Sequence, residues 1–169
     1  MKKLIWSMLT VSAMVACQEG EKAKEDFTGN EATYPLVAAS EYDIDGSVTF
    51  REKTDGTTFV IVTVSGTEGD IEHPVHLHLG NIAEPGADVY ANLNPVLGKT
   101  GESETHLTTL ADESAITYQQ LVKLFASMKI HLSASGPQKD IVLAAGNIGT
   151  ASSDDTSLGR LGVGTCKSN

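Results

Sequence analysis

The chain has 169 residues, with 12 basic and 22 acidic side chains and a formal net charge of −10 at pH 7. An acid-rich protein repels the phosphate backbone and lacks the basic clusters that dock on anionic lipids, which argues against nucleic acid and polybasic membrane docking. The composition does not identify a protein partner.

The first residues resemble a bacterial lipoprotein signal. A basic start, Met1-Lys2-Lys3, precedes an apolar run over residues 4–16 that is too short to span a bilayer as a permanent helix. The sequence Met14-Val15-Ala16-Cys17 resembles a lipobox, a signal in which the cysteine is diacylated and the preceding peptide is removed. This predicts a signal peptide over residues 1–16 and a membrane anchor on Cys17, since two acyl chains give stable attachment.

The residue after the cysteine bears on the compartment. Gln18 is not an aspartate, which favours export beyond the inner membrane. We therefore expect a lipid-anchored protein of the bacterial cell envelope, with the outer membrane or cell surface favoured over the inner membrane. With Cys17 lipidated, Cys166 has no partner for an intrachain disulfide. The alternative is a soluble secreted protein in which Cys17 is incidental.

Polar residues and then β-rich runs follow the cysteine. Residues 17–33 are charged and almost without apolar side chains, which predicts a flexible tether. Asp55-Gly56 lies between the β-rich runs 46–53 and 57–64, a strong signal for a β-hairpin.

Three of the five histidines lie in the segment His73-Pro74-Val75-His76-Leu77-His78. If this segment is a strand, His76 and His78 project from one face, about 7 Å apart along the strand. Val75, Leu77 and Leu79 then point into a core. Two imidazoles on one face of a strand can chelate a transition metal such as copper or zinc.

Additional strands are expected at 74–79, 88–93, 105–110, 128–134 and 140–145, separated by clusters of Gly, Pro, Asn and Ser. The strand at 128–134 contains His131 among alternating apolar residues. One segment differs: Thr117-Tyr118-Gln119-Gln120 matches a capping box, and the following apolar residues predict a short helix over 118–126.

These elements predict an all-β fold, a Greek-key sandwich or barrel with one short inserted helix. The β domain is expected to occupy residues 34–150, long enough for one core. Residues 151–169, rich in Ser, Asp, Gly and Thr, are predicted to be a loosely ordered tail.

Several motifs together resemble the CHRD-domain lipoproteins of bacteria. The resemblance covers most of the chain after Cys17, in order, and is carried by Gly46–Phe50, Asp55–Gly56, His73–Gly80, Leu93–Val96, Gly98–Gly101, Ile116–Tyr118, Ile130–Ser133 and Ala145–Gly149. It implies a fold and a compartment more than an activity, because the biochemical role of that family is poorly defined.

A more distant resemblance is to Cu/Zn superoxide dismutase, a Greek-key β-barrel. It implies His76, His78 and His131 as copper ligands. Asn92 stands near the position of the histidine that bridges copper and zinc in the dismutase, and His106 lies near one zinc-ligand position without the other zinc ligands. The resemblance therefore implies a mononuclear site with three histidines at best.

The favoured function is a binding or accessory module that holds one copper or zinc ion through His76, His78 and His131. His73 and His106 are weaker candidates, expected at the strand entrance and in a structural or exposed position. The chain shows no nucleophile elbow or phosphate-binding loop, so no catalytic residue is assigned. Two alternatives stay open: a degenerate copper enzyme resembling superoxide dismutase, and a structural or protein-interaction domain without metal.

Overall fold

The computed structural model describes residues 26–85 and 88–153, in which eight β-strands form one closed barrel. The strands are β1 (Phe27–Ala38), β2 (Asp45–Lys53), β3 (Thr58–Ser65), β4 (Glu72–Leu79), β5 (Val89–Leu97), β6 (Glu102–Leu107), β7 (Phe125–His131) and β8 (Val142–Gly149). A short helix, α1 (Tyr118–Leu121), precedes β7, and a 3₁₀ turn (Thr150–Ser153) follows β8. Among these residues, no helix is both long enough and apolar enough to cross a membrane.

The order of strands around the barrel is β1-β2-β3-β6-β5-β4-β7-β8, and every neighbouring pair is antiparallel. The three consecutive strands β4, β5 and β6 lie side by side, and β7 returns to lie beside β4. This is the Greek-key arrangement. The predicted all-β fold with one short helix is confirmed, and it takes the barrel form.

Alternate side chains of the strands fill the barrel. On β2, Val48 and Phe50 are fully buried, and on β3 the same is true of Val60 and Val62, which are 1% exposed. Because a strand repeats every two residues, the side chains between them face outward. Each fully buried side chain of this size contributes roughly 1.5–3 kcal/mol. The interior is therefore the main source of stability. The side chains on the outer face of the barrel are not needed for this packing and are available for a binding site.

A short seam between β1 and β8 closes the barrel. Val37 pairs with Ala145 and Ala38 with Ala144. Next to this seam, a Cβ atom on Gly146 would lie 2.0 Å from the carbonyl oxygen of Pro35, far closer than real atoms approach. Glycine at position 146 therefore allows β1 to come close to β8.

The predicted hairpin at Asp55-Gly56 is confirmed. Gly56 has a φ of +82°, which glycine adopts without strain, and its N–H donates to the carbonyl of Lys53 over 2.9 Å. The Asp55 carboxylate accepts from the backbone N–H of Thr57 at 2.9 Å. The turn fixes the register in which β2 and β3 pair over Asp45–Lys53 and Thr58–Ser65.

The predicted helix over 118–126 is wrong in its second half. The capping box is present, because Thr117 accepts from the N–H of Gln120 while the Gln120 side chain accepts from the N–H of Thr117. The helix nevertheless ends at Leu121, and β7 begins at Phe125. Pairing of β7 with both β4 and β8 satisfies its backbone groups, and this tertiary pairing overrides the helical apolar pattern.

The predicted flexible tether over residues 17–33 is also wrong for residues 27–33, which belong to β1. Glu31, Ala32 and Thr33 pair with residues of β2, and the Phe27 ring packs edge-on against Phe59 with centroids 5.8 Å apart. Strand pairing uses backbone groups, so a polar segment can be ordered without apolar side chains. The β domain thus begins at Phe27 rather than at residue 34.

Other predictions for the chain ends fall outside the described residues. These are the signal peptide over residues 1–16, lipidation of Cys17, the tether up to residue 25, and the tail from residue 154 onward. Within the predicted tail, residues 151–153 belong to the 3₁₀ turn, in which the Ser152 hydroxyl donates to the carbonyl of Gly149 at 2.7 Å.

Candidate metal centre

Strand β4 separates its histidines from its core residues by alternation. Val75 and Leu77 are fully buried in the barrel interior. His76 and His78 therefore share the outer face, as the sequence predicts. The prediction that Leu79 points into the core is wrong: its side chain is 44% exposed, because it is the last residue of the strand and lies beyond the packed interior.

The register between β4 and β7 brings His131 to the same face. His76 pairs with Lys129, and Val75 pairs with Ile130, which is fully buried inside the barrel. Because paired residues share a face and His131 is two residues from Lys129, His131 projects outward beside His76. Two neighbouring strands thus contribute all three histidines.

The three imidazoles lie close enough to surround one ion. One ligand atom from each of His76, His78 and His131 lies within 4.8 Å of the other two. Ring centroids are 4.9 Å apart for His76 and His131, 5.9 Å for His76 and His78, and 6.3 Å for His78 and His131. Nitrogens bound to one ion at about 2 Å lie at most about 4 Å apart, so a pair as wide as 4.8 Å would close by at least about 1 Å on binding. Three histidines therefore lie close together and could hold a metal ion.

Two loops orient the buried rings. The Nδ1 of His78 lies 3.2 Å from the carbonyl oxygen of Asp88, which precedes β5, and the Nδ1 of His131 lies 3.0 Å from that of Lys139, which precedes β8. A carbonyl oxygen only accepts, so Nδ1 carries the proton in both rings and the lone pair is on Nε2. Metal-binding histidines are commonly oriented by such hydrogen bonds on the other ring nitrogen.

Burial favours the neutral form of His76 and His131. Desolvation of the half-buried ring, together with the His131 and His78 rings, lowers the pKa of His76 from 6.5 to about 4. Burial also lowers the pKa of His131, with smaller contributions in the same direction from His78 and Lys129, while the Lys139 carbonyl and Asp140 oppose the shift. The neutral imidazole is the form that binds metal.

Three further polar residues are buried on this outer face, and sequence reasoning missed them. Lys129 and Ser127 are each 1% exposed, and Asn147 on β8 is fully buried. Ser127 pairs with His78 on one side and Asn147 on the other. The Asn147 side chain accepts from the N–H of Ile82 at 2.8 Å, which ties the β4–β5 loop to the barrel wall. The alternation of side chains in β7 places Lys129 and Ser127 on the same face as His131. No sequence signal indicates that this face is buried.

The weaker candidates lie elsewhere. His73 is 4% exposed and its Nδ1 lies 3.2 Å from the carbonyl of Leu132, but it is not among the side chains that could share the ion. His106 is exposed on β6, and its Nε2 lies 2.7 Å from the Thr57 hydroxyl. Asn92, exposed on β5, pairs with His76 and so lies beside the cluster on its outer face.

Comparisons of the chain with protein-family models, with curated proteins and with solved structures give no match. The resemblances to CHRD-domain lipoproteins and to superoxide dismutase therefore stay predictions. The geometry and chemistry of the cluster are the grounds on which a function can be assigned.

Proposed function

We propose that this protein is a transition-metal-binding module in which His76, His78 and His131 bind one copper or zinc ion. The observation that carries the proposal is the convergence of three imidazoles, from two strands of a closed barrel, with ligand atoms within 4.8 Å of one another. Neutral imidazole suits both metals, and copper is the tighter-binding divalent ion where both are available. Three protein ligands leave a fourth position for water or another small ligand.

Two further properties of the cluster support this function: the lowered pKa of His76 and the exposure of the cluster to solvent beside β5. With its pKa lowered to about 4, His76 stays neutral in mildly acidic surroundings, so protons compete weakly with the metal. His76 is only half-buried and Asn92 beside it is exposed, so an ion can approach from the β5 side.

Metal analysis of protein purified without a His tag, before and after loading with copper or zinc, tests the proposal. We expect about one equivalent in the wild type and loss of binding in the His76→Ala/His78→Ala double variant. His106→Ala is the matched control, because it removes an exposed histidine outside the cluster. Less than about a tenth of an equivalent in the wild type, or binding unaffected in the double variant, would refute the proposal and favour a structural or protein-interaction domain.

The same module is proposed to act in the bacterial cell envelope, on a lipid anchor at Cys17. The lipobox-like sequence Met14-Val15-Ala16-Cys17 supports this. Labelling of cells with radioactive palmitate should mark the wild type and the Cys166→Ser variant but not Cys17→Ser. Equal labelling of all three, or of none, would rule out the anchor without bearing on the metal.

A degenerate dismutase is the alternative enzyme. Asn92 pairs with His76 on the outer face, and an asparagine there does not supply the bridging imidazole that a copper–zinc pair would need. A superoxide-consumption assay of copper-loaded protein separates the two functions. Activity no greater than that of free copper ion would favour the binding module over the enzyme.

A further inference from the structure

The chain enters the barrel at one of its two ends. Phe27, the first residue of β1, pairs with Lys53, the last residue of β2, and the N–H of Thr54 donates to the carbonyl of Asp26 at 2.9 Å. Because neighbouring strands are antiparallel all around the barrel, this Phe27 end also holds the last residue of β4 and the first residue of β7. The opposite end, the Ala38 end, holds the last residue of β1.

An exposed apolar pair lies at the Phe27 end. Leu79, the last residue of β4, is 44% exposed, and Phe125, the first residue of β7, is 43% exposed. The two residues are adjacent, because Leu79 pairs with Ala126 and the N–H of Gly80 donates to the carbonyl of Phe125 at 2.9 Å. Exposed apolar side chains that adjoin one another favour contact with another apolar surface.

Exposed apolar side chains also occur at the Ala38 end, where Val37, Tyr42, Ile71 and Leu97 are each at least 36% exposed. Such residues are common on the surfaces of folded proteins. Exposure alone therefore does not decide which end of the barrel meets a membrane. The decision depends on where the chain is anchored.

The short connection from the proposed anchor to the barrel selects the Phe27 end. The nine residues 18–26 connect Cys17 to Phe27. A chain of that length spans at most about 30–32 Å when fully extended and about 15–18 Å on average as a random coil. The 12 residues of β1 rise about 3.3 Å each and tilt as barrel strands do, so the two ends lie about 25–30 Å apart. The Ala38 end could reach the membrane only with the connection almost fully extended along the barrel wall.

We infer that the Phe27 end of the barrel rests on a lipid bilayer, with the Leu79 and Phe125 side chains inserted at its interface. The inference rests on the lipid anchor of the proposed function and deepens it by naming the surface that faces the membrane. Apolar contact is the expected attraction, because the net charge of −10 repels anionic headgroups. His76 lies three residues before Leu79 on β4, which places the metal cluster about 10 Å from this contact.

Single tryptophans in the acylated protein test the inference. Trp6 is the only tryptophan of the chain, and cleavage before Cys17 removes it. The full chain is produced with its signal sequence in a bacterial host and purified in acylated form. It is then inserted into phosphatidylcholine vesicles with or without bromine on the acyl chains, because bromine quenches a tryptophan that contacts the lipid.

Two reporters and two matched controls compare the ends. Phe125→Trp and Leu79→Trp report on the Phe27 end, whereas Ile71→Trp and Leu97→Trp replace exposed apolar residues at the Ala38 end. We expect the emission of both reporters to shift to shorter wavelength in vesicles and to fall at least about twofold with brominated lipid, since interfacial apolar groups lie about 5–10 Å into the acyl boundary. Emission of the two controls should be unchanged. Circular dichroism checks that each variant folds.

Three outcomes in vesicle-bound, acylated protein would overturn the inference: equal quenching at both ends, quenching of the controls only, or no quenching at any of the four positions. In each of these the protein is still anchored, so the proposed anchor and the metal binding survive. A chain that mass spectrometry shows to be unacylated at Cys17 would instead remove the proposed anchor and this inference together.

Discussion

Two outer faces of the same barrel carry polar side chains in the same alternating pattern, but only one of them is covered. On β6, Glu102, Glu104 and His106 are exposed to solvent. On β4, β7 and β8, the outward residues His78, Lys129 and Asn147 are at most 1% exposed. Burying polar groups costs free energy unless they find partners, so a covered polar face requires a reason that a solvated face does not.

The difference lies in the loops. The β4–β5 loop contributes the N–H of Ile82 to Asn147 and the carbonyl of Asp88 to His78, while the β7–β8 loop contributes the carbonyl of Lys139 to His131. The strands therefore set which way the histidines point, and the two loops set the tautomers of His78 and His131. Substitutions matched across the inner and outer faces, and across the covered and uncovered ones, can test this division.

The largest expected effect separates the two faces of β4. Leu77→Ala removes a fully buried side chain between His76 and His78 and should lower the free energy of unfolding by roughly 2–5 kcal/mol, through lost burial and a residual cavity. Leu79→Ala, on the same strand but 44% exposed, should change it by less than about 0.5 kcal/mol. Urea unfolding of the metal-free protein measures both. Equal losses of unfolding free energy in the two variants would mean that packing in the barrel interior does not stabilise β4 more than its exposed end.

The next largest effect compares the covered and uncovered histidines. His131→Ala removes the proposed ligand contributed by β7 and should weaken the proposed copper binding by at least about a hundredfold, since loss of an outer-shell partner alone typically costs 10–100-fold. His106→Ala, on the exposed face, should leave affinity unchanged. Chelator competition gives both values, and circular dichroism checks that both variants fold. A His131→Ala protein with near wild-type affinity would reduce the site to the two histidines of β4.

The pH dependence of stability should also report on the covered face. The pKa of His76 falls from 6.5 to about 4 on folding, so between these values the unfolded chain binds more protons than the folded one. The contribution of His76 to the stability of the metal-free protein is therefore fully present above about pH 6.5. It is lost progressively as the pH falls towards 4. After allowance for solvent screening of the half-buried ring, we expect a loss of about 1–2 kcal/mol.

Thermal or urea unfolding at pH 7.5 and pH 4.5 measures this loss. His76→Gln should reduce the difference between the two pH values. Subtracting the variant from the wild type removes the common contribution of carboxylates such as Glu52 and Asp55, whose pKa values are lowered by hydrogen bonds from neighbouring side chains. Parallel pH profiles for the wild type and His76→Gln would contradict the neutral, desolvated state of this ring.

How much of this arrangement is predictable from sequence depends on the range of the interactions. Period-two alternation correctly places His76 and His78 on one face, and the Asp55-Gly56 turn is correctly assigned to a hairpin, because both are local properties of the chain. The helix predicted over 118–126 is wrong beyond Leu121, because β7 pairs with strands far away in sequence. The tether is wrong for 27–33 for the same reason, since β2 orders those residues.

The candidate site follows the same division. His131 joins His76 only through the β4–β7 register, which the residues alone do not specify and which the resemblance to a dismutase supplied as an expectation. Lys129 and Ser127 alternate with the core residues of β7, so the sequence could show which face they share but not that this face is buried. Sequence thus predicts the candidate ligands better than their surroundings.

The smallest expected effect tests those surroundings directly. The Ser127 hydroxyl is buried on the covered face without a hydrogen-bond partner among the described residues, whereas the buried Ser103 hydroxyl on β6 donates to the carbonyl of Asn94 at 2.6 Å. A buried, unpaired hydroxyl costs about 1–3 kcal/mol, and a satisfied one contributes about 1 kcal/mol. Ser127→Ala should therefore stabilise the metal-free protein by about 1 kcal/mol, and Ser103→Ala should destabilise it by a similar amount. Urea midpoints at pH 7.5 compare the two. Destabilisation by Ser127→Ala would mean that its hydroxyl has a partner in the covered layer, such as a buried water beside His78.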